Sequence, residues 1–317
     1  MKILIIGNGS IGKRHFANFK KYAEVKVFDK SLNYSEASNF RNIKDSLMWR
    51  PDGVVIATPT NTHLKIAEYF LGEKNQILIE KPVCQSFKEA RNFLKSKRFN
   101  SAKLSVVNNM RFHPALIIIK KNIKKLGKIY FVRSHFGNWL PNMRPNKDYK
   151  EIYSASKAKG GGVILDSIHE IDYLSYLFGE IEKIHLYKKK LSKLKIDVED
   201  FTSMIIYHCT GVISELQLDF LRPIKRRGCE IIGENGSLIW ESVGKKPENC
   251  KVDFCKFGQK KYKTILNDND LDPNFSYDML AKEFLKKLKG KKNINILKVE
   301  DATKYLEKIE TSNLLSN

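Results

Sequence analysis

Residues 2–15 read KILIIGNGSIGKRH: five strand-forming positions that run straight into Gly7, Asn8, Gly9, Ser10, Ile11 and Gly12. The apolar run does not alternate with polar residues, which marks a strand covered on both faces, as in a parallel sheet. The glycines have G-x-G-x-x-G spacing. The first permits a tight turn, the second lets a pyrophosphate approach the backbone, and the third lets the following helix pack close to the strand. Amide groups at that helix start, with the helix dipole behind them, favour a phosphate. A helix is predicted from Ser10 to Tyr22 and a second strand at VKVF. Asp29 then lies 17 positions beyond Gly12, where a carboxylate can hold both hydroxyls of a ribose. The candidate dinucleotide-binding residues are therefore Gly7, Asn8, Gly9, Ser10, Ile11, Gly12 and Asp29. The carboxylate at Asp29 repels a 2′-phosphate, so NAD(H) is favoured, while Lys30 and Ser31 keep NADP(H) as an alternative.

Working outward, short apolar runs recur at GVVIA (53–57), ILIE (77–80) and KLSVV (103–107), with amphipathic stretches at 61–72 and 86–96 between them. Strand–helix alternation of this kind predicts a doubly wound parallel sheet. After about residue 120 the pattern changes. The segments 127–137, 181–190, 201–209, 211–220 and 228–240 are longer, often alternate, and have few helices between them. They predict an open mixed or antiparallel sheet. One helix is expected over GGGVILDSIHEIDYLSYLFG (160–179) and another near SYDMLAKEFLKKLKG (276–290). The expected fold is α/β: a dinucleotide-binding domain over 1–118, then an α+β domain over 119–317 for substrate binding and oligomerisation.

Bulk properties narrow the function. A chain of 317 residues with 42% hydrophobic residues suits two globular domains. No apolar stretch approaches the roughly 18 residues of a membrane helix, and the first ten residues are too short and glycine-interrupted for a signal peptide. The five cysteines (Cys84, Cys209, Cys229, Cys250, Cys255) are odd in number and lack metal-like spacing. They read as reduced thiols of a cytoplasmic protein with no metal site. The net charge of +22 is spread along the chain. No arginine-rich block carries interleaved aromatics, so a basic surface or an anionic small molecule is expected rather than nucleic acid.

Three further stretches carry chemistry. In VVIATPTNTH (54–63) a strand reaches the carboxyl edge of the sheet, where cofactors bind. Thr58, Pro59, Asn61 and His63 are candidates there, with a helix-surface or capping role as the alternative for His63. In 160–179 the positions Asp166, His169, Glu170 and Tyr173 share a helical stripe, which makes a carboxylate–imidazole acid–base pair plausible. The segment 136–162 is rich in Trp, Tyr, Arg, Pro and Gly without periodicity. It reads as an active-site loop, with Arg144, Asp148, Tyr149 and Tyr153 as candidates for sugar hydroxyls or an anion. Arg111 in NNMRFHP follows the fifth strand and is a further substrate candidate.

In order and spacing, G-x-G-x-x-G-x-x-H (7–15), ATPTNTH (57–63), EKPV (80–83), NNMRFHP (108–114) and GGGVILDSIHEID (160–172) resemble the glucose–fructose oxidoreductase / inositol dehydrogenase (Gfo/Idh/MocA) family across essentially the whole chain. The resemblance implies a Rossmann domain, a second domain whose large open sheet serves oligomerisation, and hydride transfer between a nicotinamide and a sugar or cyclitol. It implies that Lys81 lies beside the nicotinamide, orients the reacting hydroxyl and takes part in proton transfer, and that Glu80 lies by the nicotinamide ribose. The family often spaces its Asp and His four positions apart, whereas Asp166 and His169 are three apart. His169 is favoured as the acid–base group, with Glu170 as the alternative occupant of that slot and otherwise a substrate contact. The loop 136–162 resembles a subgroup that accompanies surface-carbohydrate biosynthesis, implying a nucleotide sugar or acidic sugar as substrate. A homodimer or homotetramer through the second sheet is expected. Two alternatives share the scaffold: a catalytically silent NAD-binding regulator, and a reductase of a non-sugar substrate.

Overall fold

The computed structural model describes residues 1–30, 39–96, 99–243, 248–291 and 295–314. Ser31 lies outside them. The chain forms two compact units. The first is Met1–Phe112 with Asn274–Leu306, and the second is His113–Pro273 with Glu307–Asn317.

The first unit begins with β1 (Lys2–Ile6), α1 (Ser10–Phe19), β2 (Glu24–Phe28), α2 (Ile43–Met48), β3 (Gly53–Ile56), α3 (His63–Phe70), β4 (Gln76–Ile79), α4 (Phe87–Leu94) and β5 (Leu104–Val106). The second carries α5 (Pro114–Asn122), β6 (Ile129–Gly137), α6 (Val163–Asp166), α7 (Ile168–Phe178), β7 (Ile181–Lys189), β8 (Phe201–His208), β9 (Ile213–Asp219), β10 (Arg226–Gly233), β11 (Gly236–Ser242), β12 (Cys250–Lys256) and β13 (Lys263–Asp268). The chain then continues through α8 (Phe275–Leu288), β14 (Leu297–Lys298), α9 (Val299–Glu310) and β15 (Asn313–Leu314).

Among the described residues the first unit has a six-stranded sheet ordered β14-β5-β4-β3-β1-β2. All its pairs are parallel except β14 with β5. Its central strands are covered on both faces: Ile3, Leu4, Ile5, Val54, Val55, Ile56, Leu78 and Ile79 are each 0% exposed, as the non-alternating runs required. The second unit has a nine-stranded sheet ordered β13-β12-β11-β10-β6-β9-β8-β7-β15. It is mixed, since β6 with β9 and β15 with β7 run parallel and the other pairs antiparallel. Burial alternates along β8, with Thr202, Met204, Ile206 and His208 inward.

Two expectations need correction. The division is not a single cut near residue 118, because 274–306 returns to the first unit. The cause is the apolar stripe of α8: Tyr277, Leu280, Ala281, Phe284 and Leu285 complete the core around Ile3, Ile5 and Phe19, and the Phe19 and Phe284 rings meet edge-on at 6.0 Å. A Cβ on Gly53 would lie 2.9 Å from the Phe284 ring, so β3 accepts that helix only through glycine. The second correction concerns 160–179, which is not one helix. It breaks at Ser167 into α6 and α7. The Glu199 side chain and carbonyl hold the start of α6, accepting from the amides of Ile164 and Val163 at 3.2 Å each.

Candidate functional site

The glycine turn after β1 is built for close backbone approach. Gly7 has φ +99, and a Cβ there would lie 2.5 Å from the Ala57 carbonyl oxygen, while one on Gly12 would lie 1.9 Å from the Gly7 oxygen. These two glycines let α1 seat against β1 and β3. Gly9, the N-cap of α1, has nothing within 4 Å of its Cβ position. The space in front of the α1 amides is therefore open, as a pyrophosphate requires. The Asn8 amide donates to Asp29 Oδ2 at 2.6 Å, which locks the candidate ribose carboxylate to the turn. Ser10 is exposed and Ile11 half-buried. These residues fit a dinucleotide.

Gly9, Thr58, Lys81 and Arg111 follow β1, β3, β4 and β5 in turn, so parallel pairing brings all four to the carboxyl edge of one sheet. Pro59 and Asn61 are exposed on the same edge after β3. Thr62 ties that loop down by donating to the Pro59 carbonyl at 2.7 Å. His63 does not join the cofactor set. It is 1% exposed, with Nδ1 3.0 Å from the Pro82 carbonyl and Nε2 2.8 Å from the Thr58 carbonyl. It brackets the loops after β3 and β4, and burial holds its pKa below the ordinary imidazole value against those carbonyls and Glu80.

Glu80, expected by the ribose, makes its described contacts within the protein. Its carboxylate is buried at 6% exposure. One oxygen lies 2.7 Å from His15 Nε2 and the other accepts from the Lys81 amide at 3.0 Å. Burial alone would raise its pKa, but the His15 hydrogen bond and charge, with Lys81, hold it below the ordinary value. Glu80 is thus an anchor for the turn that presents Lys81, itself half-buried. His15 was present in the 7–15 motif but was not among the candidates. Its role depends on a partner 65 positions away, and no local pattern shows that.

In the second unit, Asp166 ends α6, is 7% exposed, and accepts a short hydrogen bond from the Tyr153 hydroxyl. Burial and that carboxylate push the Tyr153 pKa well up, so the phenol stays a donor. The Arg144 guanidinium stands 5.8 Å from the Tyr153 ring centre. The loop 136–162 therefore does converge on Asp166 through Arg144 and Tyr153. Tyr149 does not, since its hydroxyl accepts from the Lys195 amide at 3.3 Å and holds the loop to its neighbour. His169 is half-buried in the first turn of α7. Glu170 is 0% exposed and 2.9 Å from Arg227 Nη2. Burial raises its pKa while Arg227 opposes the shift. A carboxylate sealed in an ion pair neither binds substrate nor replaces His169, which corrects both expectations for Glu170. Arg227 itself was missed because it sits in the basic run KRR (225–227), which reads as surface charge.

A glycine turn at a helix start, a carboxylate fixed to it, and a lysine held at the same sheet edge are the parts that a dinucleotide site needs, and a mixed-sheet domain is appended to them. Residues 1–108 match the family model described as oxidoreductase family, NAD-binding Rossmann fold. Residues 122–239 match that described as GFO/IDH/MocA C-terminal domain. These matches take in well over half of the chain, which belongs to the GFO/IDH/MocA family.

The chain is 29% identical to glucose-6-phosphate 3-dehydrogenase of Bacillus subtilis over 78% of its own length and 73% of that protein's. It is 33% identical to inositol 2-dehydrogenase of Rhizobium meliloti over 41% and 37%, and 29% identical to the uncharacterized oxidoreductase YrbE of Bacillus subtilis over 57% and 55%. It thus spans about half of YrbE and just over a third of the inositol enzyme. Two solved structures share the fold. Levoglucosan dehydrogenase with NADH and levoglucosan has TM-score 0.80 at 19% identity, covering 96% of this chain and 94% of that one. The WlbA dehydrogenase from Bordetella pertussis with NADH and UDP-GlcNAcA has TM-score 0.76 at 18% identity, covering 98% and 94%. Among the described residues no helix is long and apolar enough to cross a membrane.

Proposed function

We propose that the protein is an NAD-dependent dehydrogenase or reductase acting on a secondary alcohol or ketone of a sugar, with a nucleotide sugar or acidic sugar as the substrate. The observation that carries this reading is the Glu80 carboxylate, which spends one oxygen on His15 and the other on the Lys81 amide. A buried anchor of this kind fixes a lysine at the edge of the sheet where the dinucleotide turn opens.

NAD, when bound, supplies the hydride acceptor. Lys81 donates a hydrogen bond to the reacting oxygen and stabilises charge that develops on it. His169 takes the hydroxyl proton. Asp166 keeps its carboxylate oriented by accepting from Tyr153 and supports the positive charge that His169 acquires. In reduction the same groups return the proton.

An oligomer built on the second sheet is part of the same proposal. On its outer face Ile232, Phe131, Ile213 and Tyr207 are cross-strand partners. Phe131 and Ile213 are 40% and 38% exposed, an apolar row that a second copy can cover. The five cysteines are free thiols, which supports a reducing compartment such as the cytoplasm.

The test is to purify the protein, identify any dinucleotide carried with it by mass spectrometry, and screen neutral, acidic and nucleotide sugars for reduced-nicotinamide absorbance. The reading expects NAD and turnover with at least one sugar. A protein that binds no dinucleotide, or turns over no sugar or polyol, contradicts it.

A further inference from the structure

We propose that Lys225 and Arg227, at the head of β10, form a subsite for an anionic substituent of the substrate, a carboxylate or a phosphoryl group, and so decide which sugars bind. The identity of the molecule that carries the anion rests on the dehydrogenase reading; the subsite itself does not.

Both cations stand against one ring. Arg227 Cζ is 4.4 Å and Lys225 Nζ 5.7 Å from the centre of Phe136, which is 7% exposed. The Arg227 and Phe136 backbones are register partners across β10 and β6, so the pair is mounted on rigid sheet rather than on a loop. Arg227 has its own counter-ion in Glu170, 2.9 Å away. Lys225 has none. Among the described residues no carboxylate comes within ion-pair distance of its ammonium, and its aromatic contact is with the ring that it shares with Arg227.

A partly buried ammonium beside a guanidinium is costly unless an anion joins it. Its pKa carries that signature. Burial first, then the like charge of Arg227, lower it to about 8, and Glu248, Glu170 and Asp166 only partly offset them. Lys225 is thus near enough to the Asp166 carboxylate to feel its charge. An anion bound there would restore neutrality while the sugar ring stays close to Asp166. A lysine of the generic basic surface would instead be hydrated and unshifted.

The experiment uses the full-length protein loaded with NAD. Calorimetric titrations compare D-glucose with D-glucuronate, D-glucose with D-glucose 6-phosphate, and UDP-N-acetylglucosamine with its uronate. The uronates report a carboxylate and the hexose phosphate a phosphoryl group. At least one charged member is expected to bind about tenfold or more tighter than its partner, as a hydrogen bond to a charged group implies. Lys225→Gln removes that preference, Lys225→Arg retains most of it, and Lys189→Gln, which removes an exposed charge elsewhere, leaves it within about twofold.

Equal affinity within every pair, a preference that survives Lys225→Gln, or no binding of any charged member overturns the proposal. NAD reduction read on the same samples separates the two claims. Lys225-dependent anion binding without turnover of any sugar leaves the subsite standing and counts against the dehydrogenase reading. Turnover that ignores charge and Lys225 does the reverse.

Discussion

Glu80→Gln keeps the shape of the side chain and removes its charge, which isolates what the buried carboxylate does. In the native protein the carboxylate holds His15 Nε2 at 2.7 Å and the Lys81 amide at 3.0 Å. A hydrogen bond to a charged group contributes about 1.5–3 kcal/mol. The substituted amide has one acceptor oxygen for one partner and an NH2 for the other, so one charge-assisted bond is lost. The expected cost is about 1.5–3 kcal/mol at neutral pH. The sign with pH is fixed by linkage. The folded pKa of Glu80 lies below its ordinary 4.5, so its contribution is complete above 4.5 and disappears as pH falls through the lowered folded value. Urea unfolding followed by circular dichroism, run from neutral pH to below pH 4, measures the difference between the two proteins. It should shrink toward zero at the acid end. A variant within about 0.5 kcal/mol of the native protein at neutral pH, or a deficit unchanged by acid, would contradict this role for the Glu80 carboxylate.

Gly12→Ala places a Cβ 1.9 Å from the Gly7 oxygen; α1 must move, and we expect about 1–3 kcal/mol of destabilisation with weakened NAD binding, read by calorimetry. Tyr153→Phe removes the donor to the buried Asp166; kcat should fall about tenfold or more, and urea unfolding should show a loss of about 1.5–3 kcal/mol. Arg227→Met leaves the Glu170 carboxylate buried without its cation and should cost about 3–5 kcal/mol at neutral pH. Because the folded pKa of Glu170 is already raised above 4.5 and rises further in this variant, the deficit is small below 4.5 and grows as pH climbs through the raised value, which unfolding at several pH values measures.

The dinucleotide half of the molecule was legible because its signals are local. The glycine spacing, the apolar run before it and Asp29 after it all lie within 29 residues, and each has a backbone reason that needs no distant partner. Lys81 is singled out by the order of short motifs, whereas the Asp166–His169 pair is singled out by helical spacing within 160–179. What escaped the sequence depends on contacts between remote segments. His15 acquires its meaning from Glu80. The stripe of α8 looks the same whichever core it joins, and it joins the first one. The apolar periodicity of 160–179 continues across Ser167, so it cannot show that the helix breaks there. Lys225 and Arg227 were hidden by composition, since in a chain of net charge +22 two more cations carry no signal until burial separates them from the rest.

The proposed role of Lys81 is to act on the reacting oxygen while taking no necessary part in holding the dinucleotide. Its direct measurement is single-turnover reduction of NAD by a sugar substrate, followed by nicotinamide absorbance in the native protein and in Lys81→Ala, with NAD affinity determined calorimetrically for both. In Lys81→Ala turnover should be abolished while NAD affinity changes by less than about threefold, under 1 kcal/mol. Equal rates in the two proteins would contradict it.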